Sequence, residues 1–179
     1  FIELFNPEGQ PVDLTGWTLA ATDGTPAITL NSVIPAYGFF LLERTNDETV
    51  VGVTADQIYS GSLSNSGETL ELRDENGVLI DSANADGGGW PAGTGSPDYR
   101  SMERIAPAVG AGWQSNDGTI TNGQDANGNP LNATAKSENV GWGQVRPDSA
   151  ELTLSLTQTL FPFITITNTG FVWFSSRNK

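Results

Sequence analysis

The feature that most constrains this chain is a near absence of helical spacing, combined with turn formers every few residues. Apolar residues recur in short runs: "FIELF", "WTLA", "AITL", "GFFLLE", "TLELR", "VLIDS" and, late in the chain, "ELTLSLTQT" and "FITITNT". Such runs suit strands, not the i, i+3, i+4 stripe of an amphipathic helix. Between them lie "NPEGQP", "TDGTP", "PAYG", "SNSG", "DENG", "NDG" and "DANGNP", where Gly, Asn and Asp enter positive φ at little cost. The 21 Gly and 10 Pro therefore serve tight or irregular connections, and the pattern predicts an all-β fold.

At 179 residues the chain holds one domain of ordinary size and the beginning of a second. The 21 Asp and Glu against 8 Lys and Arg give a net charge of −13, which repels phosphate backbones and anionic headgroups and excludes nonspecific nucleic-acid binding. Calcium, cationic surfaces or neutral polymers suit that surface better. No cysteine is present, so disulfides, thiolate metal sites and cysteine nucleophiles are excluded. The absence of histidine also removes Ser-His-Asp triads and His-ligated zinc. The longest apolar stretch, "LFPFITI", is too short for a membrane span. The chain opens on "FIELFN" with neither Met nor an apolar leader, and the expectation is that a targeting segment stood upstream.

Alternation places side chains by face. In "TLELRDENGVLIDS" (69–82) Leu70 and Leu72 fall on one face and Glu71 and Arg73 on the other, and Val78 and Ile80 are expected to continue the apolar face. Glu71 and Asp74 then read as the solvated side of a half-buried sheet. "ELFNPEGQPVD" (3–13) echoes "ELRDENGVLID" (71–81) at an offset of 68; both are expected to be hairpins, through shared turn chemistry and not duplication. From Asp86 to Gly143 the sequence turns rich in Gly, Asn and Ala, with Trp90, Trp113 and Trp142 widely spaced. That segment is expected to wrap the sheets through its few large apolar residues. Within it "RSMERI" reads as a short strand with Met102 inward and Arg100, Glu103 and Arg104 solvated.

Asp125, Asn127 and Asn129 in "DANGN" stand at alternate positions, as oxygen ligands do in a calcium loop, and Asp117 and Asp148 would add charge. Lys136 occupies the twelfth position, where an EF-hand needs Glu, and an Asn-Gly turn is the competing reading. Calcium is thus the one candidate cofactor, and none is required. Asn132-Ala133-Thr134 is an N-glycosylation acceptor pattern. Ser62, Ser64 and Ser66 have neither a G-x-S-x-G elbow nor a histidine base; they read as turn formers, and no stretch marks a pair of catalytic carboxylates. Trp17, following Gly in "TGWTL", is expected in the core, and Trp90 as a lid over the end of the sandwich or a ligand platform.

"FIELFNPEGQPVDLTGWTL" (1–19), "IPAYGFFLLER" (34–44), "YSGSLSNSGETLELRDENGVLIDS" (59–82), "GGWPAG" (88–93), "SMER" (101–104) and "DANGNPLNATAKSEN" (125–139) together resemble the lamin tail domain of bacterial and archaeal surface or secreted proteins, over about residues 1–143. The resemblance implies an immunoglobulin-like β-sandwich acting as a noncatalytic adhesion, anchoring or assembly module, with no catalytic residue to carry over. It also implies a strand before "FIEL" that is missing here, leaving an edge for another segment to cover. Residues 151–179, after a linker at 145–150, resemble the opening of another Ig-like surface-protein repeat. The expected function is an extracellular or cell-surface structural module. Its partners would be other copies of itself or neighbouring Ig-like domains, joined through strand edges into a filament or layer. The alternative is a carbohydrate- or polymer-binding accessory domain of a larger secreted enzyme.

Overall fold

The computed structural model describes residues 1–105 and 112–140 together with the backbone of Ser175–Ser176, and none of these is helical. Trp142, Asp148, the linker at 145–150 and the rest of the 151–179 extension lie outside the described residues.

Twelve strands follow in chain order: β1 (Ile2–Phe5), β2 (Val12–Asp13), β3 (Thr18–Ala21), β4 (Ala27–Thr29), β5 (Val33–Ile34), β6 (Phe39–Arg44), β7 (Gln57–Tyr59), β8 (Leu70–Arg73), β9 (Leu79–Ala83), β10 (Met102–Arg104), β11 (Trp113–Ser115) and β12 (Ser175–Ser176). A six-stranded sheet runs β11-β10-β12-β1-β6-β7, a four-stranded sheet runs β4-β3-β8-β9, and β2 pairs β5. All pairings are antiparallel except β6 with β7.

The main core lies between the two larger sheets. Ile2, Leu4, Phe40, Leu42 and Met102 of the first meet Leu19, Ala21, Ile28, Leu70, Leu72 and Ala83 of the second. The opposite face of the six-stranded sheet is buried as well: Phe1 and Leu41 pack with Val50, Leu131, Ala133 and Ala135. Strands covered on both faces need apolar residues at consecutive positions, which is why "FIELF" and "FFLL" carry them. The Gly- and Asn-rich segment does wrap the sheet, with Leu131, Ala133 and Ala135 supplying its apolar contacts.

Three expectations are corrected. The first is the hairpin over 3–13: β1 pairs with β6 and β12, and β2 with β5, so the echo of 71–81 is local turn chemistry only. The second is the inward face of β9. Leu72 opposes Asp81, Arg73 opposes Leu79, and the register shifts between them. Ile80 is the extra residue of a bulge, and two residues then share the space opposite one. Ile80 and Asp81 turn toward the core, while Val78 and Leu79 stay exposed. The third is "RSMERI": Glu103 and Arg104 are fully buried, because β10 is an interior strand, covered on both faces. Trp17 packs against the core half-buried.

Candidate strand-acceptor site

Strands β1 and β10 do not touch; a single strand position separates them. That position holds β12, whose Ser175 is the register partner of both Glu3 and Glu103, and whose Ser176 partners both Ile2 and Met102. Two residues from the far end of the chain thus close the interior of the six-stranded sheet, which would otherwise expose two rows of backbone donors and acceptors.

The register places two carboxylates, each with no solvent exposure, on either side of this position. Glu103 is fully supported: its Oε1 accepts from Ser101 Oγ (2.8 Å) and Asn116 Nδ2 (2.8 Å) and lies 2.9 Å from Thr134 Oγ1, while its Oε2 accepts from the Val140 amide (3.2 Å). Glu3 is not. Its Oε2 accepts from the Lys136 amide at 2.6 Å, but its Oε1 is buried with no hydrogen-bond partner among the described residues. Burial raises the Glu3 carboxyl well above the usual carboxylate range, against the opposing pull of the Lys136 N–H and charge. The Lys136 ammonium itself reaches Asp56 at 3.0 Å, and Asp56 accepts from the Leu41 amide. The wrapping segment is therefore fastened to β1 and β6 beside the slot.

A buried ion pair joins the two sheets on the other side of β10. Arg104 Nη2 lies 3.1 Å from both oxygens of Asp81, hydrogen-bonding Oδ1, and donates to the Ser82 carbonyl at 2.8 Å. The Arg104 guanidinium carbon sits 4.6 Å from the centre of the Trp113 ring. Desolvation pushes the Asp81 carboxyl up to about 6 despite Arg104, and lowers Arg104 despite Asp81. Desolvation thus outweighs attraction at this pair.

The residues singled out in the sequence fall elsewhere. Asp125 Oδ1 accepts from the amides of Asn127 (2.8 Å) and Asn129 (3.0 Å), and Asn129 Nδ2 lies 3.3 Å from Oδ2, so this carboxylate closes its own turn. No group of three or more Asp or Glu side chains gathers as a cation site among the described residues. Asn132 Nδ2 donates to the Asp98 carbonyl (2.7 Å), and Thr134 of the same acceptor pattern is buried beside Glu103 and Asn139. Ser64 and Ser66 share a hydroxyl contact of 2.8 Å in a turn. Trp90 donates its indole N–H to the Ser64 carbonyl (2.7 Å) and packs on the main core. Sequence reasoning missed Glu3, Glu103, Asp81 and Arg104. The available signal was acidic or basic residues inside otherwise apolar runs at both "FIELF" and "SMERI".

No helix among the described residues is long and apolar enough to cross a membrane. Comparison with curated proteins and with solved structures finds no match. The family model described as Lamin Tail Domain matches residues 1–86, which run from β1 through β9; the match is shorter than the span over which the sequence blocks resemble that family. Over those residues the sequence matches the lamin tail domain family, and the all-β sheets described above agree with that family's immunoglobulin-like fold.

Proposed function

We propose that this chain is a noncatalytic, exported structural module that joins neighbouring copies of itself through β-strand insertion at the slot between β1 and β10. One observation carries the reading: the interior of the six-stranded sheet is completed by a two-residue strand more than 160 residues distant from β1, through Ile2↔Ser176 and Glu3↔Ser175. Main-chain pairing of that kind supplies affinity without a shaped side-chain pocket. A segment that closes its own sheet can close a neighbour's by the same contacts, and repetition of that heterologous contact yields an open chain of subunits. The acidic surface, at net charge −13, keeps unassembled copies apart. Adhesion or filament formation at a cell surface is the role this geometry serves.

The chain lacks cysteine, which makes the test direct. Full-length Ile2→Cys and Ser176→Cys variants are mixed before assembly and oxidised. Strand insertion between copies gives covalent dimers containing one chain of each variant. Closed monomer from the doubly substituted chain, with no mixed dimer from the single variants, would refute the proposal. Deleting 151–179 is expected to abolish ordered polymers under the electron microscope.

A further inference from the structure

A cavity of about 540 Å³ opens beside β10 and is lined by Asn65, Trp90, Ser96, Tyr99, Arg100 and Met102 among others. We infer that it binds a sugar ring of a glycan, with Trp90 and Tyr99 as apolar walls and Arg100 as the polar contact.

The lining is positioned before any ligand arrives. Trp90 is anchored by its N–H to the Ser64 carbonyl (2.7 Å) and by packing on the core. The Gly88–Gly89 backbone that leads into it passes so close to Gly67 that a Cβ there would stand 2.0 Å from the Gly88 carbonyl oxygen. Tyr99 adopts φ 45°, a conformation a bulky residue keeps only where its surroundings impose it; its amide donates to Gly95 at 2.9 Å. Arg100 is pinned from behind: its amide donates to Thr94 Oγ1 (3.1 Å) and its Nη1 to the Asn116 carbonyl (2.7 Å), and its Nε lies 3.9 Å from Asp98. No described residue accepts from Nη2, so that edge of the guanidinium is left to a ligand.

The chemistry selects the ligand class. Two aromatic side chains offer flat apolar area at little entropic cost, and Asn65, Ser96 and Arg100 add amide, hydroxyl and guanidinium groups at the same opening; a ring with one apolar face and hydroxyls on its rim matches both. A phosphate dianion needs more than the single guanidinium of this lining, which Asp98 already partly neutralises, whereas one carboxylate does not. A purely apolar molecule would leave the polar groups unmatched. The spare Nη2 edge favours a uronic acid, whose carboxylate it can take, over a neutral sugar.

The test titrates the full chain with a neutral glucan hexasaccharide and with a hexasaccharide of uronic acids, followed by calorimetry. Saturable binding is expected, tighter for the uronic acids, and weakened at least about tenfold, or 1.4 kcal/mol, by Tyr99→Ala and by Arg100→Gln. Tyr37→Ala, at an exposed tyrosine outside the cavity, is expected to leave binding unchanged. Ser96→Ala serves if Tyr99→Ala fails to fold, with a smaller loss in the same direction. Absence of saturable binding by either sugar at millimolar concentration, or equal binding by wild type, Arg100→Gln and Ser96→Ala, would overturn the inference. Polymer formation does not enter the measurement, so its outcome is independent of the strand-insertion reading.

Discussion

Asp81→Ala is expected to be among the most damaging single substitutions in this molecule. Asp81 and Arg104 have 1% and 2% of their side-chain surface exposed, so removing the carboxylate leaves an uncompensated charge between two packed sheets. Breaking a buried pair in this way costs about 3–5 kcal/mol, and the lost acceptor for the Ser82 amide at 2.8 Å adds about 1 kcal/mol. At roughly 2–4 °C per kcal/mol for a domain of this size, the melting temperature should fall by about 8–24 °C. The two partners are not equivalent. Arginine cannot shed its proton, whereas Asp81 already sits at about 6 beside Arg104 and rises further without it. Arg104→Met, which keeps an unbranched chain over Trp113, therefore leaves an aspartic acid that neutralises itself, and its loss should be smaller than that of Asp81→Ala at pH 6 and grow toward pH 8. The double variant should be more stable than Asp81→Ala alone. Urea denaturation followed by far-UV circular dichroism measures all four corners of this cycle. A double variant as unstable as the sum of the two single losses would show that the pair is not a desolvated unit, and the account of β9 and β10 given above would be wrong.

Other expectations follow from the same structure. Burial raises Glu3, Glu43, Glu68 and Asp81; the folded state then holds protons more tightly than the unfolded chain, so these groups add stability that is lost as pH rises. For Asp81 alone the loss between the ordinary 3.8 and about 6 is roughly 3 kcal/mol, and thermal melts should give a higher midpoint near pH 5 than at pH 7.5. The lowered values of exposed Asp13 and Asp117 act in the opposite sense and are screened by solvent. Glu3→Gln should raise the melting temperature at pH 7.5 more than at pH 5, because it removes a carboxyl whose ionised form burial disfavours; equal effects at both pH values would contradict the assignment. Gly67→Ala meets the Gly88 carbonyl at 2.0 Å and φ +98° and should cost at least about 2 kcal/mol, read by chemical denaturation. Calcium at about 1 mM, the affinity range of extracellular modules, should leave the melting temperature unchanged, since Asp125 is committed to Asn127 and Asn129; a rise of several degrees would restore the calcium reading.

Much of the fold is legible in the sequence, because strand periodicity and turn chemistry act over a few residues. Leu70 and Leu72 face inward and Glu71 outward as alternation requires, and "DENG" closes the β8–β9 hairpin, with Asp74 Oδ1 accepting from the amides of Asn76 and Val78. The errors arise where a long-range contact overrides that local rule. Alternation assigns Val78 to the core and Asp81 to solvent, but the bulge at Ile80 reverses both, and nothing within "VLIDS" announces it. Only Arg104, 23 residues away, supplies a reason for Asp81 to turn in.

The same reasoning explains why the site was invisible. A charged residue in a short strand reads as solvent-facing whenever one face of the sheet is wet. Here residues 122–139 cover the second face, through Leu131, Ala133 and Ala135 on Leu41 and Phe1, and so bury Glu3 and Glu103 on either side of the β12 position. Wrapping and strand acceptance are therefore linked. Without the wrap, these carboxylates would be hydrated and the slot would be an ordinary polar edge. With it, the six-stranded sheet has a desolvated gap that is stable only when a strand fills it, because an unpaired buried backbone donor or acceptor costs about 1–3 kcal/mol. The acidic residues that look most like solubilising surface in "FIELF" and "SMERI" thus flank the position where β12 completes the sheet.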